Sequence, residues 1–296
     1  MSSARRLLAC GALAVAALVG AAASPSEASF RLPTHPMPVR ARAGAPHRPS
    51  TDPITFHGGS VMTGPVRVHV VWYGGWSTAS RRRRIVVDFL RHLASPYWNI
   101  NRTYPSGTGK LVTATPELGV QIDDPGSVGT VQLTDEQIQQ IVERAVANRS
   151  LPRDAHGIYL VLTAASVTKV GFLTEYCGWH SYAHIGGSLL KFAFIGDPTG
   201  PRVGGCGMRT GTPNGDPGAD SMVSTIAHEL AETVTDPTFR GWRTDRGEEN
   251  ADRCAFLYGT TFGTPKGTAN VRLGTRNYLL QTNWVNSATP HCGLAP

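Results

Sequence analysis

Asp220-Ser221-Met222-Val223-Ser224-Thr225-Ile226-Ala227-His228-Glu229-Leu230-Ala231-Glu232-Thr233-Val234-Thr235-Asp236-Pro237 carries two stripes of opposite character. Val223, Ile226, Leu230 and Val234 recur at steps of three and four, as do Ser221, Thr225, His228, Glu232 and Thr235 on the opposite side. That period predicts one amphipathic helix, its apolar stripe on a core and its polar stripe on a cleft. Asp220 is the expected N-cap, and Asp236-Pro237 ends the helix because the residue before proline disfavours the α region.

On such a helix His228 and Glu232 stand one turn apart on one face, where both can hold one ion. The zinc-protease pattern His-Glu-x-x-His uses two such histidines as ligands and the glutamate between them as general base. Here Glu232 replaces the second histidine, which zinc accepts, and Glu229 occupies the base position. A third ligand is expected one loop later, in Gly247-Glu248-Glu249-Asn250-Ala251-Asp252-Arg253-Cys254, with Glu249 and Asp252 as candidates and Glu248 behind them. His180, in a Gly-rich stretch read as a loop, is the further candidate nitrogen donor. Zinc is the expected metal; calcium is the alternative if the other donors are all oxygens. His184 is undecided, while His57 and His69 read as structural.

Arg5-Arg6, an apolar run to Val19 and small residues up to Ala28 read as a signal peptide over residues 1–28. The run is too short to span a bilayer, and no other stretch is long enough, so an exported protein without a transmembrane segment is expected. Residues 29–53, rich in proline and arginine, read as an extended tail or linker. The net charge of +7 owes much to arginines in these two segments. One basic cluster, residues 81–84, with no nucleic-acid motif, argues against a nucleic-acid partner.

Residues 54–296 read as one domain. Strands are expected at 66–73, within 111–122, at 158–162 and at 189–195. Helices are expected at 79–94 and at 134–148, the latter opened by a capping box of Thr134 and Gln137. The order implies an α/β fold: a single layered domain, zincin-like, with a mixed, mostly parallel sheet flanked by helices and an irregular C-terminal part. Cys177, Cys206, Cys254 and Cys292 remain after the signal, an even number suited to an oxidising compartment.

Phe56-His57-Gly58-Gly59, the strand at 66–74, Cys177-Gly178-Trp179-His180, residues 222–237, residues 249–254, Arg276-Asn277-Tyr278-Leu279-Leu280 and Cys292 together resemble the phosphate-induced protein 1 family, to which the plant EXORDIUM proteins belong. The chain resembles a branch carrying the zincin-like His-Glu-x-x-Glu motif. The resemblance implies a secreted protein of the cell wall or cell surface, and with the sequence neighbourhoods it favours Cys177–Cys206 and Cys254–Cys292 as the disulfides. Two functions follow as expectations. The first is a secreted, monomeric zinc hydrolase acting on a peptide or protein, with His228, Glu232 and one of Glu249, Asp252 or His180 on the metal and Glu229 as base. The alternative is a non-catalytic extracellular protein, acting on a cell-wall component, with a structural or vestigial metal site.

Overall fold

The computed structural model describes residues 32–40, 50–199, 205–208 and 212–296. The expected signal peptide lies outside them. The order is β1 (Thr34–Pro38), β2 (Thr55–Phe56), β3 (Arg67–Tyr73), α1 (Arg81–Arg91), the one-turn α2 (Pro96–Asn99), β4 (Glu117–Asp124), α3 (Asp135–Ala147), β5 (Gly157–Thr163), β6 (Tyr176–Ile185), β7 (Ser188–Gly196), α4 (Pro217–Thr235) and β8 (Trp242–Arg243), followed by short hairpins.

Six strands form one sheet in the order β1-β6-β7-β5-β3-β4. The neighbours β7-β5, β5-β3 and β3-β4 are parallel, whereas β1-β6 and β6-β7 are antiparallel. The sheet is therefore mixed, as expected, with its β1-β6-β7 side antiparallel. The cause is the Gly186-Gly187 turn, both residues at positive φ, which folds β6 back on β7. Two consecutive positive-φ residues make the two-residue hairpin turn whose twist matches the strands. The same turn overturns the loop reading of residues around His180: they lie in the middle of β6.

Side chains alternate across the sheet as period two demands. Val68, Val70 and Trp72 face the core shared with α1 and α4, while Val71 and Tyr73 face the core covered by α3. The helix α3 begins with the expected capping box, Thr134 and Gln137 exchanging side-chain and backbone hydrogen bonds. Its partner across the sheet, α4, starts one turn earlier than expected. Asp216, not Asp220, is the N-cap, accepting from the Ala219 N–H, and Pro217 takes the first helical position where its missing N–H costs nothing.

Residues 218–235 of α4 are buried all round. Its apolar stripe enters the core as expected, but its polar stripe does not line an open cleft. Instead β1, β6 and the acidic loop pack onto it, and Thr225, Thr233 and Thr235 return their hydroxyls to carbonyls on the preceding turn. Both favoured disulfides are present: Cys177–Cys206 ties the start of β6, and Cys254–Cys292 ties the acidic loop to the C-terminal tail.

Candidate metal centre

The site lies where four segments meet. The helix α4 supplies His228, Glu229 and Glu232, β6 supplies His180, the loop after β8 supplies Glu249 and Asp252, and β1 supplies His35. The last of these has no counterpart among the sequence candidates, because its segment reads as a linker. That segment is extended, as expected, yet residues 34–38 are an edge strand. Pro36 and Pro38 alternate with His35 and Met37, which is how an edge strand tolerates prolines. In the antiparallel register His35 stands opposite His180, so both imidazoles leave the same face of the sheet, the one that meets α4.

A close approach between β6 and α4 brings the groups together. Gly178, two residues before His180 on the same face, allows it: a Cβ there would lie 2.7 Å from Thr225 Cγ2 and 3.0 Å from Glu229 Oε1. On the other side, the backbone N–H of Asp252 donates to Glu232 Oε1 at 3.0 Å, fixing the acidic loop against the helix. The loop is held from outside by Arg253, which pairs with Glu248 at 2.8 Å and lies over the Trp284 ring. Glu248 is thus turned away from the site and is not a ligand candidate.

The distances are those of a donor cluster. His228 Nε2 lies 3.0 Å from Glu232 Oε1 and 3.4 Å from Asp252 Oδ1. His35 Nε2 lies 2.6 Å from Asp252 Oδ2 and 3.3 Å from Glu249 Oε2. His180 Nε2 lies 2.9 Å from Glu249 Oε2 and 3.9 Å from Glu232 Oε2. The side chains of His180, His228, Glu232 and Glu249 are fully buried, and His35 and Asp252 keep a small exposed edge. Phe239, at a positive φ just after α4, covers the His35 and His180 rings.

Several donor atoms in the cluster are buried without a hydrogen-bond partner, among them Glu232 Oε2, Glu249 Oε1, Asp252 Oδ1 and both oxygens of Glu229. Buried carboxylates cost free energy unless they are paired or coordinate a cation. The protons accordingly sit in unusual places. Burial, reinforced by the neighbouring Glu232 charge, pushes the Glu229 and Glu249 carboxyls well above the usual range. Burial pulls His228 down, but Glu232 and Asp252 beside it outweigh that and leave its imidazole well above the ordinary value. His180, buried and facing two other imidazoles, is pushed well below. The residues present fit a metal ion: in each of several groups one imidazole nitrogen and two carboxylate oxygens lie within 4.8 Å of one another, in a largely buried site.

Of the other histidines, His184 is exposed on β6 and stays outside the cluster. His69 is the satisfied core residue expected, its Nδ1 accepting from the Val120 N–H at 3.1 Å and its Nε2 3.3 Å from Asp154. His57 bonds the Arg243 carbonyl beside the β2–β8 pair. A cleft of about 520 Å³ lined by Arg67, His69, Glu117 and Asp154 shares no residue with the metal-ligand cluster.

A family model described as the phosphate-induced protein 1 conserved region matches residues 54–277. The chain is 31% identical over 271 residues to Protein EXORDIUM-like 3 of Arabidopsis thaliana, covering 78% of this chain and 80% of that one. It is 30% identical to Protein EXORDIUM of the same plant, covering 70% and 74%, and 29% identical to Protein PHOSPHATE-INDUCED 1 of Nicotiana tabacum, covering 71% and 74%. No solved structure matches it.

Proposed function

We propose, since this chain belongs to the phosphate-induced protein 1 family, that it is a non-catalytic extracellular protein of the EXORDIUM type, working at the cell wall or surface, whose fold is locked by bound metal. The observation that carries this reading is the convergence of His35, His180, His228, Glu232, Glu249 and Asp252 with buried, unpartnered donor atoms. Three imidazoles among the donors favour zinc or a similar transition metal over calcium, which prefers an all-oxygen shell. Export is supported by the signal-like residues 1–28, and no helix among the described residues is long and apolar enough to cross a membrane.

A structural role is favoured over a catalytic one by burial. The candidate ligand side chains are enclosed by α4, β1, β6 and the acidic loop. The test is metal analysis of protein purified from the medium, followed by thermal unfolding with and without a chelator. Bound metal and a lower melting temperature on chelation, with no turnover of casein or peptides, are expected. Metal-free protein whose melting is indifferent to chelator sinks the reading.

One observation keeps a zincin-like hydrolase as the second reading. Glu229 places both carboxyl oxygens, unpartnered, beside Glu232 and His180. A metal there would supply Lewis acidity, and Glu229 would accept the proton of the attacking water. Peptide turnover that disappears in Glu229→Gln while the metal stays bound would favour this second reading over the first.

A further inference from the structure

Two carboxylates in the cluster turn their paired oxygens toward different imidazoles. Glu232 presents Oε1 to His228 at 3.0 Å and Oε2 to His180 at 3.9 Å. Asp252 presents Oδ1 to His228 at 3.4 Å and Oδ2 to His35 at 2.6 Å. Both therefore span a gap, with His228 on one side and His35, His180 and Glu249 on the other. The donor atoms meet as three triads, His228 with Glu232 and Asp252, His35 with Glu232 and Glu249, and His180 with Glu229 and Glu232. Glu232 belongs to all three, and among the described residues no triad unites two imidazoles.

Glu229, Glu232, Glu249 and Asp252 share this interior, and the ion pairs made by the last three among the described residues are all with imidazoles. Carboxylates that bridge two ions through their two oxygens are the usual means of holding such a pair.

We propose that the cluster is a dinuclear transition-metal centre bridged by Glu232 and Asp252, with His228 on one ion and His35 and Glu249 on the other. It rests on the metal-binding reading above and specifies its stoichiometry. The N-terminal strand then belongs to the centre, because His35 is a ligand of the second ion alone.

The full chain is stripped with a chelator and titrated with zinc(II), and bound zinc is counted by native mass spectrometry. A parallel sample is loaded with manganese(II) for electron paramagnetic resonance. Two zinc ions per chain and an exchange-coupled manganese signal are expected. Saturation at one ion, or the six-line signal of isolated manganese, overturns the dinuclear proposal and leaves the metal-binding reading intact; no bound ion ends both. His35→Ala is expected to keep one zinc and to lose the coupling. If His35→Ala and His228→Ala each still bind two, the ions lie elsewhere and the assignment is wrong. The manganese signal of the unmodified chain decides the matter even where a variant fails to fold.

Discussion

Stripped of metal, this protein should lose stability as the pH rises from 6.5 to 8, a range in which most domains change little. In the unfolded chain the glutamates, with ordinary values near 4.5, are already ionised across this range, and histidines, near 6.5, are losing their protons. In the folded, metal-free state Glu229, Glu249 and His228 hold their protons to higher pH, the two carboxyls through burial and the imidazole through Glu232 and Asp252. The folded state therefore binds more protons than the unfolded one, and linkage makes the slope of stability against pH negative. Asp252 is ionised in both states here and contributes nothing, whereas His180, neutral when folded but part-protonated when unfolded near pH 6.5, adds a smaller slope of opposite sign that fades toward pH 8. Each retained proton is worth about 1.4 kcal/mol per pH unit. One proton gives a loss of about 2 kcal/mol over the window, and three give about 6 kcal/mol, a large part of the 5–15 kcal/mol a domain possesses. Zinc replaces those protons, so in the loaded protein stability should be flat or rise with pH. Urea unfolding of stripped and zinc-loaded protein at four pH values between 6.5 and 8 measures both slopes, with Glu229→Gln and Glu249→Gln reducing that of the stripped form. A stripped protein whose stability is level or increases over this range refutes the reasoning.

Gly178→Ala should cost about 1–3 kcal/mol, because the new methyl group meets Thr225 Cγ2 at 2.7 Å and forces β6 away from α4. Chemical denaturation checks the loss, and Thr225→Ser, which removes that methyl, should recover part of it; no recovery would locate the strain elsewhere. Replacing Cys254 and Cys292 with alanine opens a loop of sequence separation 38 and should cost about 4 kcal/mol on the chain-entropy estimate. Because that bridge adjoins Asp252, the same variant should bind metal more weakly in a zinc titration; unchanged affinity would mean that the acidic loop is held without it.

What could be read from the sequence was whatever repeats with a period. The four-residue steps of α4, the capping box at Thr134 and Gln137 and the β-branched runs of β3 and β5 all announce themselves locally. The placement of Glu249 and Asp252 beside α4 was legible because the loop after a His-Glu helix is where further acidic donors are expected. What escaped depends on partners distant in the chain. Gly178 and the other small or polar residues of β6 look like a loop until Gly186-Gly187 is read as a hairpin turn, a signal that was present. Asp216-Pro217 likewise carried the true helix start. The alternation of prolines with His35 and Met37 hinted at an edge strand, but nothing local says that the strand docks on β6, 145 positions after His35 in the pairing His35 to His180.

On the metal-binding proposal, that distance makes the centre a device for holding the fold together. Its donors come from β1, β6, α4 and the acidic loop, and the last of these is bound to the C-terminal tail by Cys254–Cys292. In the unfolded chain, gathering such donors around an ion means closing long loops, whose entropy grows only slowly with length but must still be supplied. An ion bound to the folded chain and not to the unfolded one therefore stabilises it in proportion to the logarithm of its concentration over its dissociation constant. The disulfide restrains the acidic loop covalently, while β1 is held by non-covalent contacts, among them backbone pairing with β6, Met37 packing and the interactions of His35. The N-terminal strand is accordingly the element most dependent on metal, and on stripping the centre it should be the first to gain hydrogen exchange, ahead of α4, whose burial on every side does not rely on His35.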